Sequence, residues 1–241
     1  MRIGILKAGQ SPDMTRAEFG DYDNMFEVML AGRGFTFDSY HVEAMEFPAS
    51  VHAAEAWLIT GSRHGVYEDH AFIPPLEDFI RRAYEAAVPM VGICFGHQII
   101  AHALGGKVEK FAGGWAVGAQ DYQFEGQPVT LNAWHQDQVT TRPPGAEIAA
   151  SNAFCENAAL VYGDRAFTVQ AHPEFGEGFI EALMTHRAPG VVPEPLLDTA
   201  RDRLGPAKDQ ALIADRIEAF LRQPRTALGN KATEHATRGA A

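Results

Sequence analysis

Short apolar runs alternate along the chain with stretches whose apolar residues recur at helical spacing. Residues 3–6 form the first run, which Lys7 ends. Over 22–30, Met25, Phe26, Met29 and Leu30 fall on one helical face, and Gly32 and Gly34 stop that helix. Residues 35–42 alternate as a strand, and 57–60 make a short buried strand ending at Gly61. Pro74-Pro75 opens a helix through Leu76, Phe79, Ile80 and Tyr84, and 89–93 supply the next strand. This alternation predicts an α/β fold with an open, mostly parallel central sheet and helices on both faces. Ligands in such folds sit beyond the carboxyl ends of the strands.

From Lys107 the period shortens. Residues 107–111, 120–124 and 129–132 read as brief strands separated by Gly113-Gly114 and Gly126-Gln127-Pro128, which predicts a small antiparallel sheet. Residues 159–162 and 167–171 form a hairpin around Gly163-Asp164, followed by helices near 178–187 and 208–222. The Pro-rich stretch 189–195 reads as a loop, and the polar stretch 225–241 is expected to fray. No apolar run approaches the roughly 20 residues that cross a bilayer. The N-terminus has neither the apolar core nor the cleavage site of a secretory signal.

Composition narrows the function classes. The chain has 241 residues, 46% of them hydrophobic and 21% charged, which excludes a disordered or fibrous protein. Asp and Glu outnumber Lys and Arg by 31 to 20, a net charge of −11. With no basic run, the chain would bind a phosphate backbone against its own average field, so a nucleic-acid partner is excluded. Two cysteines are too few for a disulfide framework; both read as reduced thiols, which places the chain in the cytoplasm (cytosol).

The two cysteines differ in setting. The strand at 89–93 runs into Gly92-Ile93-Cys94-Phe95-Gly96-His97-Gln98 and then into a helix stopped by Gly105-Gly106. That is a nucleophile elbow with sulfur in place of oxygen. Glycines flanking Cys94 leave room for a strained turn, the helix N-terminus favours a thiolate, and the Phe95 N–H is placed to hold an oxyanion. Cys155 lacks such a setting and reads as structural. The thiol's base is expected in Gln170-Ala171-His172-Pro173-Glu174-Phe175, where a strand ends in a histidine and a carboxylate follows two residues later. His172 would move the proton, and Glu174 would fix its tautomer. His97 reads as a packing or hydrogen-bonding residue. His64 and His70, with Glu68 and Asp69, fit no ligand spacing such as two histidines at i and i+4 on a helix, so neither a metal nor a cofactor is expected.

Together these stretches resemble the class I glutamine amidotransferase family over residues 1–190. The Cys94 and His172 segments are similar to its two signatures in the same chain order, and Thr60-Gly61-Ser62-Arg63-His64-Gly65 looks like its oxyanion loop. Trp134-His135-Gln136-Asp137 resembles a stretch of stand-alone, GMP-synthetase-like members. The resemblance implies a flavodoxin-like fold, a catalytic triad of Cys94, His172 and Glu174, and oxyanion donors at the Ser62 and Phe95 N–H groups. It implies substrate contacts from Gly61, Gln98, Trp134, His135, Gln136 and Asp137. Ser62 and Arg63 replace the family's usual Gly-Pro, and Gln136 stands where many members have Gly, which reshapes the amino-acid pocket.

The implied reaction cleaves a γ-glutamyl amide through a thioester on Cys94, releasing ammonia or an amine. Ammonia would pass to a separate synthase subunit, because the chain has neither the length nor the phosphate-binding loop of a synthetase domain. The alternatives are a peptidase acting on small-molecule γ-glutamyl compounds and a non-catalytic binding or regulatory module. Residues 191–224 are expected to form a helical extension packed on the same domain.

Overall fold

The computed structural model describes residues 1–205 and 209–225. Apart from Arg225, the stretch expected to fray lies outside the described residues, as does Lys208 at the predicted start of the last helix. The strands are β1 (Arg2–Leu6), β2 (Thr36–Tyr40), β3 (Ala56–Ile59), β4 (Met90–Ile93), β5 (Lys107–Lys110), β6 (Ala116–Phe124), β7 (Gln127–His135), β8 (Asp137–Thr141), β9 (Glu147–Ser151), β10 (Ala159–Tyr162) and β11 (Ala166–Val169). The α-helices are α1 (Asp13–Phe19), α2 (Tyr22–Met29), α3 (Ile73–Glu85), α4 (Phe95–Ala103), α5 (Glu177–His186), α6 (Glu194–Asp202) and α7 (Gln210–Arg222).

One nine-stranded sheet runs through the molecule in the order β2-β1-β3-β4-β11-β10-β9-β6-β7. Its first five strands are parallel, in the order of a flavodoxin-like sheet with β11 as the fifth strand. The two central strands, Ala56-Trp57-Leu58-Ile59 and Met90-Val91-Gly92-Ile93, are buried at every position, which is why they read as continuous apolar runs. Helices close both faces. On one, Ile3, Ile5, Leu58 and Val91 pack with Phe26 of α2 and with Ile213, Ile217 and Phe220 of α7. On the other, Trp57, Ile59 and Met90 pack with Leu76, Phe79 and Ile80 of α3 and with Ile99 and Ile100 of α4. Asp21 starts α2 with a capping box shared with Asn24.

Of the antiparallel strands, only β5 and β8 form the separate small sheet. The others extend the main one, because the hairpin joins β10 edge-on to β11, and β9, β6 and β7 follow. The loop expected at 189–195 is shorter, since Pro195 lies in the first turn of α6, where a missing N–H is harmless. No helix among the described residues is long and apolar enough to cross a membrane.

Candidate active site

Three neighbouring strand ends deliver the site. β3 runs into Thr60-Gly61-Ser62 and β4 into Cys94, while β11, paired to β4 on its other side, runs on to His172. Ile93 pairs with Val169, so the sulfur and the imidazole emerge side by side at the carboxyl edge of the sheet.

Cys94 links β4 to α4 at φ 52° and ψ −101°. A non-glycine residue held there stores on the order of 1–3 kcal/mol of strain. Close packing through its glycine neighbours holds the turn. A Cβ on Gly92 would lie 2.4 Å from the Gly96 carbonyl oxygen, and one on Gly96 would lie 2.2 Å from that of Ile59. The Cys94 N–H donates to the Val169 carbonyl at 2.9 Å, and the Gly96 N–H to that of Thr60 at 3.1 Å.

His172 is buried, lies beside Cys94 around Gly61, and places Nδ1 2.7 Å from Glu174 Oε1. Its ring stacks on Phe175 with centroids 3.9 Å apart and planes 4° from parallel. Its N–H donates to the Asn132 carbonyl at 2.8 Å, and the Asn132 side chain donates to that of Phe175 at 2.8 Å. Burial pushes the imidazole toward neutrality, but the facing Glu174 carboxylate and the sulfur outweigh it and hold the His172 pKa up at about 10. The Glu174 side chain is fully buried, and no described group donates to its Oε2. Its charge therefore rests on His172.

A cleft of ≈ 900 Å³ opens over this pair. Cys94, His172, Ser62, Gln98 and residues 134–137 line it, whereas Gly61, Phe95 and Glu174 stand behind the wall. Ser62 does not take a positive φ, and neither its N–H nor that of Phe95 is spent on another described backbone acceptor. A Cβ on Gly61 would lie 3.1 Å from His172 Cε1, so this position must stay small for the imidazole to keep its place. Gln98 Nε2 donates to the Asp137 carbonyl at 2.9 Å and to Gln170 Oε1 at 3.1 Å, leaving its own oxygen for a ligand. Gln170 Nε2 in turn approaches Cys94 Sγ at 3.7 Å. The Tyr67 hydroxyl donates to Asp137 Oδ2 at 3.0 Å, the Gln136 carbonyl accepts from the Phe111 N–H at 3.3 Å, and Trp134 lies beside Trp115.

The remaining histidines near the sulfur are neutral. Burial, together with the neighbouring His172, pushes His135 down to about 3; burial and His135 do the same to His97, whose Nδ1 sits 2.8 Å from Thr168 Oγ1. Burial pushes the Cys155 thiol up to about 12, which makes it unreactive. Sequence reasoning assigned no role to Gln170, Tyr67, Asn132 or Phe175. Gln170 had a usable signal, since it stands just before His172 in the expected strand 167–171, although in the structure β11 ends at Val169 and Gln170 lies in a bend.

Residues 38–184 match the class-I glutamine amidotransferase family. The chain belongs to that family. Gamma-glutamyl peptidase 4 of Arabidopsis thaliana is 30% identical over 192 residues, which cover 73% of this chain and 76% of that one. The glutamine-hydrolyzing GMP synthase of Thermus thermophilus is 33% identical over 183 residues, 68% of this chain but 35% of the synthase. A solved glutamine amidotransferase from Thermotoga maritima superposes with a TM-score of 0.70 at 21% identity, covering 92% of this chain and 96% of that one, a likeness of fold. Within the class-I glutamine amidotransferase frame, the matched segment takes in the whole of β3, β4 and β11.

Proposed function

We propose that this amidotransferase-family chain is a cysteine hydrolase of γ-glutamyl amide bonds, with Cys94 as nucleophile, His172 as proton carrier and Glu174 as its orienter. The observation that carries this reading is the imidazole held between the Cys94 sulfur and the Glu174 carboxylate at the end of two paired strands. His172, held protonated to about 10, already carries the Cys94 proton, and the sulfur adds as thiolate to the γ-carbonyl carbon. The Ser62 and Phe95 N–H groups receive the developing oxyanion. His172 protonates the leaving nitrogen, the C–N bond breaks, and a γ-glutamyl thioester remains. His172 next takes a proton from water as its oxygen attacks the thioester, and returns it to the departing sulfur. The products are a γ-carboxylate and an amine, or ammonia from glutamine. Gln98 and the 134–137 segment hold the amino-acid end of the donor.

A γ-glutamyl peptide or amide is the favoured donor. The cleft lies near the upper end of the volumes that enclose drug-sized ligands, leaving room beyond one amino acid, and the peptidase relative carries the same preference in its name. Glutamine is the second reading, supported by the likeness to the amidotransferase third of GMP synthase; in that case a separate synthase subunit receives the ammonia. The test offers glutamine, γ-glutamyl amides and γ-glutamyl dipeptides to wild type and Cys94→Ala, following ammonia, glutamate and freed amine. Turnover of dipeptides above glutamine, abolished in Cys94→Ala, is expected. Binding without Cys94-dependent turnover of any donor would leave a non-catalytic module instead.

A further inference from the structure

The loop that follows β3 carries a second cluster of chemically capable side chains at the rim of the cleft. His64 Nδ1 lies 3.7 Å from Glu68 Oε2, and His70 Nε2 lies 2.8 Å from the same oxygen. The two imidazoles lie with centroids 3.9 Å apart and planes tilted by 53°, and one donor atom from each of the three residues falls within 4.8 Å of the others. Linear spacing gives no hint of this, because a turn rather than a helix gathers the three residues.

We propose that His64, Glu68 and His70 form a binding site for a divalent transition-metal ion of the zinc type. First, a tetrahedral ion about 2.0–2.1 Å from each ligand needs ligand atoms about 3.3 Å apart. The two His–Glu separations bracket that length and the His–His one lies within 4.8 Å, so side-chain rotations bring the three atoms to tetrahedral spacing. Second, the far nitrogen of His64, Nε2, sits 2.9 Å from Glu43 Oε1. That carboxylate holds the proton on Nε2 and turns the Nδ1 lone pair toward the cluster, the arrangement that orients metal-binding histidines. Third, two imidazoles and one carboxylate suit zinc, nickel or copper, whereas magnesium and calcium prefer oxygen donors throughout. The charges agree: two carboxylates face the site, with one cation near, Arg63 Nη2 at 3.6 Å from Glu43.

The site bears on the loop's other work. The His64 N–H donates to Ser62 Oγ at 3.2 Å, and both imidazoles pack against Phe72, which in turn contacts Phe95. A bound ion would tie down the segment that presents Ser62 to the cleft. The metal site stands independently of which donor Cys94 attacks, or whether it attacks one.

The obvious rival is the Cys94–His172 pair, which also offers a sulfur and an imidazole. Zn²⁺ is therefore titrated into tag-free full-length protein against a chromogenic chelator, for wild type, Cys94→Ala, His70→Ala, Glu68→Gln and Glu43→Gln. Co²⁺ spectra are recorded on the same proteins. One equivalent of Zn²⁺ is expected to bind wild type and Cys94→Ala alike. His70→Ala and Glu68→Gln should each weaken it at least tenfold, and Glu43→Gln by about 10–100-fold. Wild type with one equivalent of Co²⁺ should show visible bands without a thiolate-to-cobalt transition in the near ultraviolet. His70 and Glu68 are partly exposed, at 35% and 45%, so their variants stay folded, and circular dichroism checks this. Absence of Zn²⁺ binding to wild type would overturn the proposal. So would binding that survives His70→Ala and Glu68→Gln unchanged but disappears in Cys94→Ala.

Discussion

Glu174 acts almost wholly through one neighbour. Its carboxylate is buried with His172 as its sole described partner, so removing the charge falls directly on the imidazole. Glu174→Gln is expected to drop the His172 midpoint well below about 10, since burial then meets only the sulfur's opposition. Ring-labelled NMR titration of both proteins reads this directly, and an unmoved midpoint would contradict the assignment. Turnover should fall by less in Glu174→Gln than in His172→Ala, because the base survives while its orientation is lost. The same shift has a stability consequence. A histidine whose folded pKa lies above its unfolded value of about 6.5 stabilises the fold fully below that value. The contribution fades as pH rises through about 10. Urea midpoints of wild type should therefore fall between pH 6.5 and 10 more steeply than those of Glu174→Gln. At this scale the sequence was informative where chemistry compresses into a few adjacent residues, as in Gly92-Ile93-Cys94-Phe95-Gly96. Tyr67, which reaches Asp137 from 70 positions away, carries no local mark of that bond.

Among the elements, β4 and α4 are joined more tightly than any periodicity argument conveys. Gly96→Ala would drive a methyl group into the Ile59 carbonyl of β3, the strand beside β4, and this backbone group cannot rotate aside. A loss at the upper end of the about 1–3 kcal/mol typical of overpacking is expected in urea denaturation, with turnover falling as Cys94 shifts. On the opposite face, Ile217→Ala should cost about 2–5 kcal/mol, since α7 seals the first core with fully buried residues. Elements buried on both faces were legible because every position is apolar. By contrast, α1 buries only Thr15, and α6 buries only Leu197 and Ala200, too few to print a helical period. The strands after Lys107 were legible as strands, but their sheet membership was not. Edge-to-edge pairing follows from topology, and alternation along β6 or β7 is the same whichever partner the strand finds.

For the molecule as a whole, the acidic surplus of 11 charges does not extend into the cleft. Lys7, Arg16, Arg63, Lys110 and Arg187 line it against Asp13, Glu43, Glu68 and Asp137. An anionic donor thus enters a nearly balanced wall inside an acidic protein. Arg187→Ala is expected to raise KM several-fold for a γ-glutamyl peptide ending in a carboxylate and much less for an uncharged γ-glutamyl amide, as steady-state kinetics on both would register. Chain continuity matters as well: a chain ending at 205 loses Ile213, Ile217 and Phe220 from the core that also holds Ile3 and Phe167, and is expected to lose cooperative unfolding. One further consequence comes from the adjacency of β3, β4 and β11. Neighbouring strands are about 4.8 Å apart wherever a sheet exists, so the strand ends that carry Cys94 and His172 cannot drift apart while it persists. The Cys94 and His172 amides, bonded to Val169 and Asn132, should then exchange with deuterium only through global opening. The wall that hangs from β3, the loop bearing Ser62, His64 and Glu68, has no strand of its own, and its amides are expected to exchange faster than those of Cys94 and His172.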